Sequence, residues 1–260
     1  MSETSLEKIC SPDDLISQLN RDGHKDIIRA YRLDFLTGTG PSGVLLGFTS
    51  YEHNPSGRIA PVRPQIPLPS ELAGACGTRI AEYTAGRKAA QEVLKLTGKN
   101  YIPARNPDGT PVWPAGICGS ISHDRGTAAV LICDCSAVQS AGIDICLGTS
   151  EKTAADIRPL IMDSSEMDLL NGFLSEPDAT ALLFSAKECL YKMIYPQVRE
   201  FIDFREAVLT AAKGGRQYGT LGFRLDGPRS IRIRHKQPAV SYFRYRCGWL
   251  TVGYLDKSYC

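Results

Sequence analysis

Between Gly116 and Cys146 the chain packs three short, apolar, β-prone runs into thirty-odd residues: Gly119–His123, Ala128–Cys133 and Ala141–Cys146. Asp124-Arg125-Gly126 separates the first two. A three-residue connection containing glycine joins neighbouring antiparallel strands, so the spacing predicts a β-hairpin followed by a third strand. Any fold must therefore be built around a sheet. Helical patterns flank it. Ser70-Glu71 opens a helix predicted to run, with an interruption near Gly74 to Gly77, to about Leu96, where Gly98 ends it. Downstream, helices are expected over about Glu151–Ile161 and Ser165–Phe173, and a third starts at Pro177 and stops before Pro196. Ala207–Ala211, Gly219–Leu225, Ile231–Arg234 and Tyr242–Tyr254 read as strands, and Val44 to Tyr51 as another. Ser11-Pro12-Asp13-Asp14 carries an N-cap, a first-turn proline and first-turn acids, predicting a short polar helix to about Leu19. Pro55 to Pro69 holds five prolines and reads as an extended loop. Strands and helices in this order make an α+β protein.

The 260 residues suffice for one large domain or two small ones. A formal net charge of +2 argues against a general nucleic-acid binder, and no run approaches the ~18 apolar residues of a membrane span. Met1 to Cys10 is polar and acidic, unlike a secretory leader, so the cytoplasm is the expected compartment. Nine cysteines without a CxxC pair read as reduced thiols, which argues against a zinc cluster.

The chemistry-bearing residues fall into four groups. Asp144 and Cys146 are i and i+2 on a strand and face the same way. In Phe184-Ser185-Ala186-Lys187-Glu188-Cys189-Leu190-Tyr191-Lys192, Glu188 and Lys192 are i and i+4 and share a helix face. Gly116-Ile117-Cys118-Gly119-Ser120-Ile121-Ser122-His123 places hydroxyls beside small residues, which suits a phosphate. It lacks the G-x-S-x-G nucleophile elbow of the hydrolases. Arg79 and Arg87, eight apart on a helix, lie within one broad face, and arginine grips phosphate bidentately.

These segments, with Arg79-Ile80-Ala81-Glu82-Tyr83-Thr84-Ala85-Gly86-Arg87-Lys88-Ala89-Ala90 and Trp113-Pro114, resemble the signature of the 4′-phosphopantetheinyl transferases, in particular the branch of enterobactin synthetase component D. The resemblance runs from about Arg79 to Pro196. It implies a pseudo-twofold pair of similar α/β halves with the active site at their interface. The halves would be residues 1–139, with the coenzyme A nucleotide and phosphate contacts, and 140–260, with the metal site and catalytic helix. It implies transfer of the 4′-phosphopantetheine group from coenzyme A to a serine of an apo acyl or peptidyl carrier protein, by a cytoplasmic monomer that needs neither nucleic acid nor membrane. Magnesium, with manganese as its substitute, would sit on Asp144 and Glu188. Glu188, Lys192 and His123 would be catalytic. Arg79, Arg87, Arg105, Ser122, His123, Asp144, Lys187 and Lys192 would hold coenzyme A or its metal. The family usually has a second acid where this chain has Cys146. That departure keeps a second reading open, a coenzyme A-binding protein without transferase activity.

Overall fold

Two consecutive residues with positive φ, Arg125 (41°) and Gly126 (84°), turn the chain between strands at Ile117–Asp124 and Thr127–Asp134. Positive φ at both central residues is the geometry whose twist matches that of the flanking strands, so the hairpin closes in two residues. The computed structural model that contains it describes residues 6–21, 28–33, 44–53, 66–136, 138–227 and 237–257. In chain order its elements begin with β1 (Leu6–Ile9), α1 (Pro12–Leu19), β2 (Arg29–Leu33), β3 (Leu45–Ser50) and α2 (Gly77–Lys95). Then come β4 (Ala104–Arg105), β5 (Pro111–Val112), β6 (Ile117–Asp124), β7 (Thr127–Asp134) and β8 (Val138–Cys146). The remainder is α3 (Glu151–Ile161), α4 (Ser164–Asn171), α5 (Glu176–Val198), β9 (Ala207–Gly214), β10 (Tyr218–Leu225), β11 (Ala239–Tyr245) and β12 (Gly248–Asp256). This is a mixed α+β protein. Its contacts divide it into two units, 1–10 with 22–135, and 11–21 with 136–260.

The first unit is a sheet of order β1-β2-β3-β7-β6, antiparallel except for β1 with β2. Helix α2 lies on it. Ala89, Ala90, Val93 and Leu94 pack on Ala30, Leu45, Val130 and Ile132. The approach is close because the facing positions are small. A Cβ on Gly47 of β3 would stand 2.3 Å from Val93 Cγ2, and one on Gly86 of α2 2.8 Å from Ile121 Cγ2.

The second unit is an antiparallel sheet of order β8-β12-β11-β10-β9. The 23-residue α5 covers it, with Leu182, Leu183, Ala186, Cys189, Leu190, Met193 and Ile194 buried beneath. Contact is again closest at a glycine: a Cβ on Gly142 of β8 would lie 2.1 Å from the Cys189 carbonyl oxygen. Helix α1 belongs to this unit. Ser11 caps it by accepting from Asp14 N, as its sequence predicts. Beyond its end Asn20 accepts from Arg246 N (2.7 Å) at the β11–β12 turn. It is amphipathic rather than simply polar, since Leu15 and Leu19 are fully buried.

Each unit thus has a strand, a long helix and a return through antiparallel strands, the last of which pairs antiparallel with the first: β3 with β7, and β8 with β12.

Several sequence expectations need adjustment. Tyr242–Tyr254 is two strands, because Arg246 adopts φ 53° and turns the chain without a glycine, proline or asparagine to mark it. Helix α5 runs through Pro196 to Val198. So near the helix end the proline forfeits a single i−4 bond, and Arg199 (φ 54°) terminates the helix by donating to Tyr195 O. Ser70–Leu72 is a separate 3-10 turn, and α2 itself starts at Gly77. Strands β1, β2, β4 and β5 were not foreseen. Ile231–Arg234 and most of Pro55–Pro69 lie outside the described residues. Among the described residues no helix is long and apolar enough to cross a membrane.

Replacing Gly142 by alanine should destabilise the protein by about 1–3 kcal/mol or more, since a backbone carbonyl is in the way. Gly172→Ala, which meets nothing within 4 Å, is the control and should be near neutral. Urea unfolding of the two variants checks this.

Candidate catalytic site

Because Gly142 touches α5, Asp144 and Cys146, two and four residues further along β8, also face that helix. Asp144 is buried. Its Oδ2 accepts from Ser185 Oγ (2.9 Å), and its Oδ1 from Lys192 Nζ (2.6 Å). Lys192 also donates to the Ile143 carbonyl at 3.2 Å. Thr251, paired with Asp144 across the β8–β12 ladder, lies 2.9 Å from Ser185 Oγ and donates to the Ser185 carbonyl at 3.0 Å. One strand residue, one neighbouring-strand hydroxyl and two helix side chains therefore lock together. Ser185, Glu188 and Lys192 are spaced three and four apart, a single stripe of α5.

Glu188 has no hydrogen bond or salt bridge among the described residues. Burial pushes its carboxyl above the usual glutamate range. Lys192 opposes that shift, and the negative charge of Asp144 adds to it. A half-buried carboxylate that lacks a partner and sits near a second carboxylate is suited to accept a proton or meet a cation. The thiol of Cys146 lies 3.6 Å from Thr149 Oγ1 and offers a hard cation little. Among the described residues no group of three or more histidine, cysteine or acidic side chains could hold a metal ion. Two carboxylates remain. That donor set suits magnesium, which is commonly held by one or two carboxylates, substrate phosphates and water, rather than by a resident protein cage.

Lys187 points the other way. Its ammonium reaches Glu166 Oε1 (2.8 Å), the Ile161 carbonyl (2.6 Å) and the Phe204 carbonyl (3.0 Å), so all three donors are engaged. The side chain is 1% exposed, and burial lowers its pKa against the opposing pull of Glu166. Glu166 also accepts from Leu209 N and, through its other oxygen, from Asp163 N in a capping box. The expected phosphate contact for Lys187 is therefore corrected. The residue is a clasp that joins the end of α3, α4 and the 3-10 turn at Phe204–Glu206 to α5.

The first unit carries a cationic cluster at the start of α2. Arg79 Nη1 lies 3.0 Å from His123 Nε2 and 3.2 Å from Glu82 Oε2. Arginine can only donate, so Nε2 accepts and the imidazole proton belongs on Nδ1, which faces Glu82 Oε2 at 3.6 Å. Arg87 is buried, with its guanidinium 4.8 Å above the Tyr83 ring centroid and its Nε without a partner. Burial chiefly weakens its hold on its proton, and the charges of Arg105 and Arg79 add to that. Three arginines thus act on one region. Arg105, on β4, lies over Gly109, whose φ of 91° and missing Cβ leave it room. Ser122 is buried and, next to His123 in β6, points to the opposite face of the strand. The structure therefore brings Arg79 and His123 to one helix–strand corner, sets Arg87 further along the same helix against Tyr83, and turns the Ser122 side chain away. Ser185 and Thr251 escaped the sequence reading. For Ser185 the signal was there, a hydroxyl three residues before Glu188 inside an apolar helix.

Two family models match the chain. The 4′-phosphopantetheinyl transferase N-terminal domain covers residues 68–133, and the 4′-phosphopantetheinyl transferase superfamily covers 140–247. The chain is 39% identical over 134 residues to enterobactin synthase component D of Salmonella typhimurium, a stretch that covers 51% of the chain and 56% of that relative. It is 35% identical over 142 residues to the Escherichia coli O157:H7 protein of the same name, covering 54% and 67%. It is 30% identical over 146 residues to 4′-phosphopantetheinyl transferase Svp of Streptomyces mobaraensis, covering 54% and 58%.

Two predictions follow from the second unit. Lys187→Met leaves Glu166 charged and buried, and should cost about 3–5 kcal/mol in urea unfolding. Adding Glu166→Gln, which removes the buried charge and keeps an acceptor for the Leu209 or Asp163 amide, should recover part of that. Second, a folded-state pKa of Glu188 above its unfolded value means the native protein binds that proton more tightly. Its contribution to stability then falls as pH rises from the ordinary glutamate value through the raised one. Glu188→Gln should therefore be more stable than the parent above that window and equal to it below, in thermal melts in chelator-treated buffer.

Proposed function

From a chain that belongs to the 4′-phosphopantetheinyl transferase superfamily, we propose an enzyme that moves the 4′-phosphopantetheine group of coenzyme A to a serine hydroxyl of an apo carrier protein, with adenosine 3′,5′-bisphosphate as the other product. The observation that carries this reading is the Asp144–Lys192–Ser185 network with the unpartnered Glu188 beside it on α5. In this step the serine oxygen bonds to the phosphorus that bears pantetheine. The bond from that phosphorus to the bridging oxygen breaks, and the electron pair leaves with the nucleotide. Glu188 takes the serine proton, a role its raised affinity for protons suits. Lys192, already placed at Asp144, carries positive charge to the phosphate whose charge grows as the bond breaks. Arg79, Arg87 and His123 hold the nucleotide end, which spends remote binding energy on alignment. Arg105 joins them as a further cation. Magnesium, held by Asp144 and Glu188 with water in place of the missing second strand acid, would neutralise the pyrophosphate and polarise the leaving oxygen.

The first unit is thus assigned the nucleotide and the second the chemistry. Their shared strand–helix–return topology, each closest to its helix at a glycine, supports reading them as a duplicated pair. The relatives named enterobactin synthase component D make a carrier domain of siderophore assembly the first acceptor to try. The cytoplasm and a monomeric state are part of the same proposal.

The test is an intact-mass measurement of an apo carrier domain mixed with the protein, coenzyme A and magnesium. The carrier should gain one phosphopantetheine group, and folded Glu188→Ala should leave it unmodified. Cys146→Glu should tighten magnesium binding in calorimetry, and an unchanged affinity would remove that position from the metal's surroundings. Coenzyme A binding without transfer to any carrier would support the non-catalytic reading that Cys146 keeps open.

A further inference from the structure

The register of the first sheet lines up residues across three strands. Gly47, Val130 and Ile121 form one row on β3, β7 and β6. Gly47 and Ile121 both meet α2, at Val93 and at Gly86, so this row faces the helix. Side chains alternate along a strand, hence the row two residues further, Thr49, Ala128 and His123, faces the same side. It reaches the start of α2, where Arg79 and Glu82 meet His123. Tyr51 is two residues beyond Thr49. It continues β3 past its end, with its backbone N–H donating to the Gly126 carbonyl (2.9 Å) in the turn just after His123 and Asp124. Alternation therefore puts the Tyr51 ring on the face of His123, at the same corner.

The environment agrees. The Tyr51 hydroxyl oxygen is buried and, among the described residues, makes no hydrogen bond of normal geometry; the Gly126 backbone N–H lies near it, and that group can only donate to it. Burial pushes its pKa up to about 12 against the opposing pull of the Gly126 backbone N–H, with Glu82 and Asp124 adding to the shift and Arg79 opposing it. At neutral pH it is a protonated donor with no acceptor among the described residues, amid charges that belong to one cluster. Buried polar groups are nearly always satisfied, so an exception calls for a cause. Arg87 Nε, on the same helix as Arg79, is a second buried donor without a partner. Two idle donors beside a cationic cluster describe a site that lacks its acceptor.

We propose that Tyr51 is a further ligand-binding residue: its hydroxyl donates to the 3′-phosphate of coenzyme A, which Arg79 and His123 are taken to hold. The proposal rests on the coenzyme A reading above and adds a residue that no motif marks. It implies opposite signs for two measurements. Tyr51→Phe removes a buried hydroxyl whose proton has no acceptor among the described residues, so the ligand-free protein should melt no lower than the parent. It also removes a donor to an anion, so coenzyme A should bind about three- to tenfold more weakly.

Isothermal titration of parent and Tyr51→Phe with coenzyme A and with 3′-dephospho-coenzyme A tests this, alongside melts of both ligand-free proteins. The expected result is weaker coenzyme A binding by the variant, unchanged binding of the dephospho compound, and an undiminished melting temperature. Equal coenzyme A affinity in the two proteins overturns the proposal. So does an equal loss for both ligands, which would place the hydroxyl on another part of the nucleotide. A lower melting temperature with unchanged affinity would make Tyr51 merely structural. If the parent itself fails to bind coenzyme A, the functional reading falls and takes the proposal with it, an outcome distinct from the others.

Discussion

The contact between Gly142 and the backbone of α5 decides where everything in the second unit goes. With no side chain at that point, β8 and the helix approach until a Cβ would sit 2.1 Å from a carbonyl oxygen. The approach carries Asp144 beneath Ser185 and Lys192, at distances short enough for charge-assisted hydrogen bonds. A larger residue would push strand and helix apart, and the carboxylate would lose its partners before any ligand arrived. Packing and chemistry are therefore one constraint here. The first unit has a looser counterpart: Gly47 meets α2 at the Val93 side chain rather than at the helix backbone, and two residues on stands Thr49 where β8 has Asp144.

Adjacent residues of α5 divide the labour. Lys187 turns into the body of the unit and satisfies two carbonyls and a carboxylate, while Glu188 faces the network with no hydrogen bond among the described residues. A rotation of about 100° per residue separates the two roles, as helical geometry requires of neighbours. Polar groups in one motif thus answer to different pressures: Lys187 to the cost of burying a charge, and Glu188, on the proposed reading, to the need for a reactive one.

Much of this was legible in the sequence. The hairpin at Asp124–Gly126, helix α3 and the strand of Asp144 appear near their expected places, since local turn chemistry and apolar periodicity specify them. The helix face shared by Glu188 and Lys192 follows from spacing alone. What escaped has a tertiary origin. Lys187 looks like any cation in a charged motif, and only Glu166, 21 positions away, reveals its use. Thr251 matters because the β8–β12 ladder sets it opposite Asp144, more than a hundred residues distant. Ser122 and His123 look like a pair on paper, but a strand sends neighbours to opposite faces. The β11–β12 turn left no mark because Arg246 takes a backbone conformation normally left to glycine or asparagine.

The ammonium of Lys192 already rests on Asp144. The acid thus has its counter-charge supplied by the chain, where many metalloproteins leave that task to the ion and collapse when it is stripped away. Here the network around Asp144 is closed by the chain's own side chains. On the proposed magnesium-dependent reading, a cell short of that ion would keep a folded protein in waiting rather than a pool of unfolded chains, and could return it to service without new synthesis.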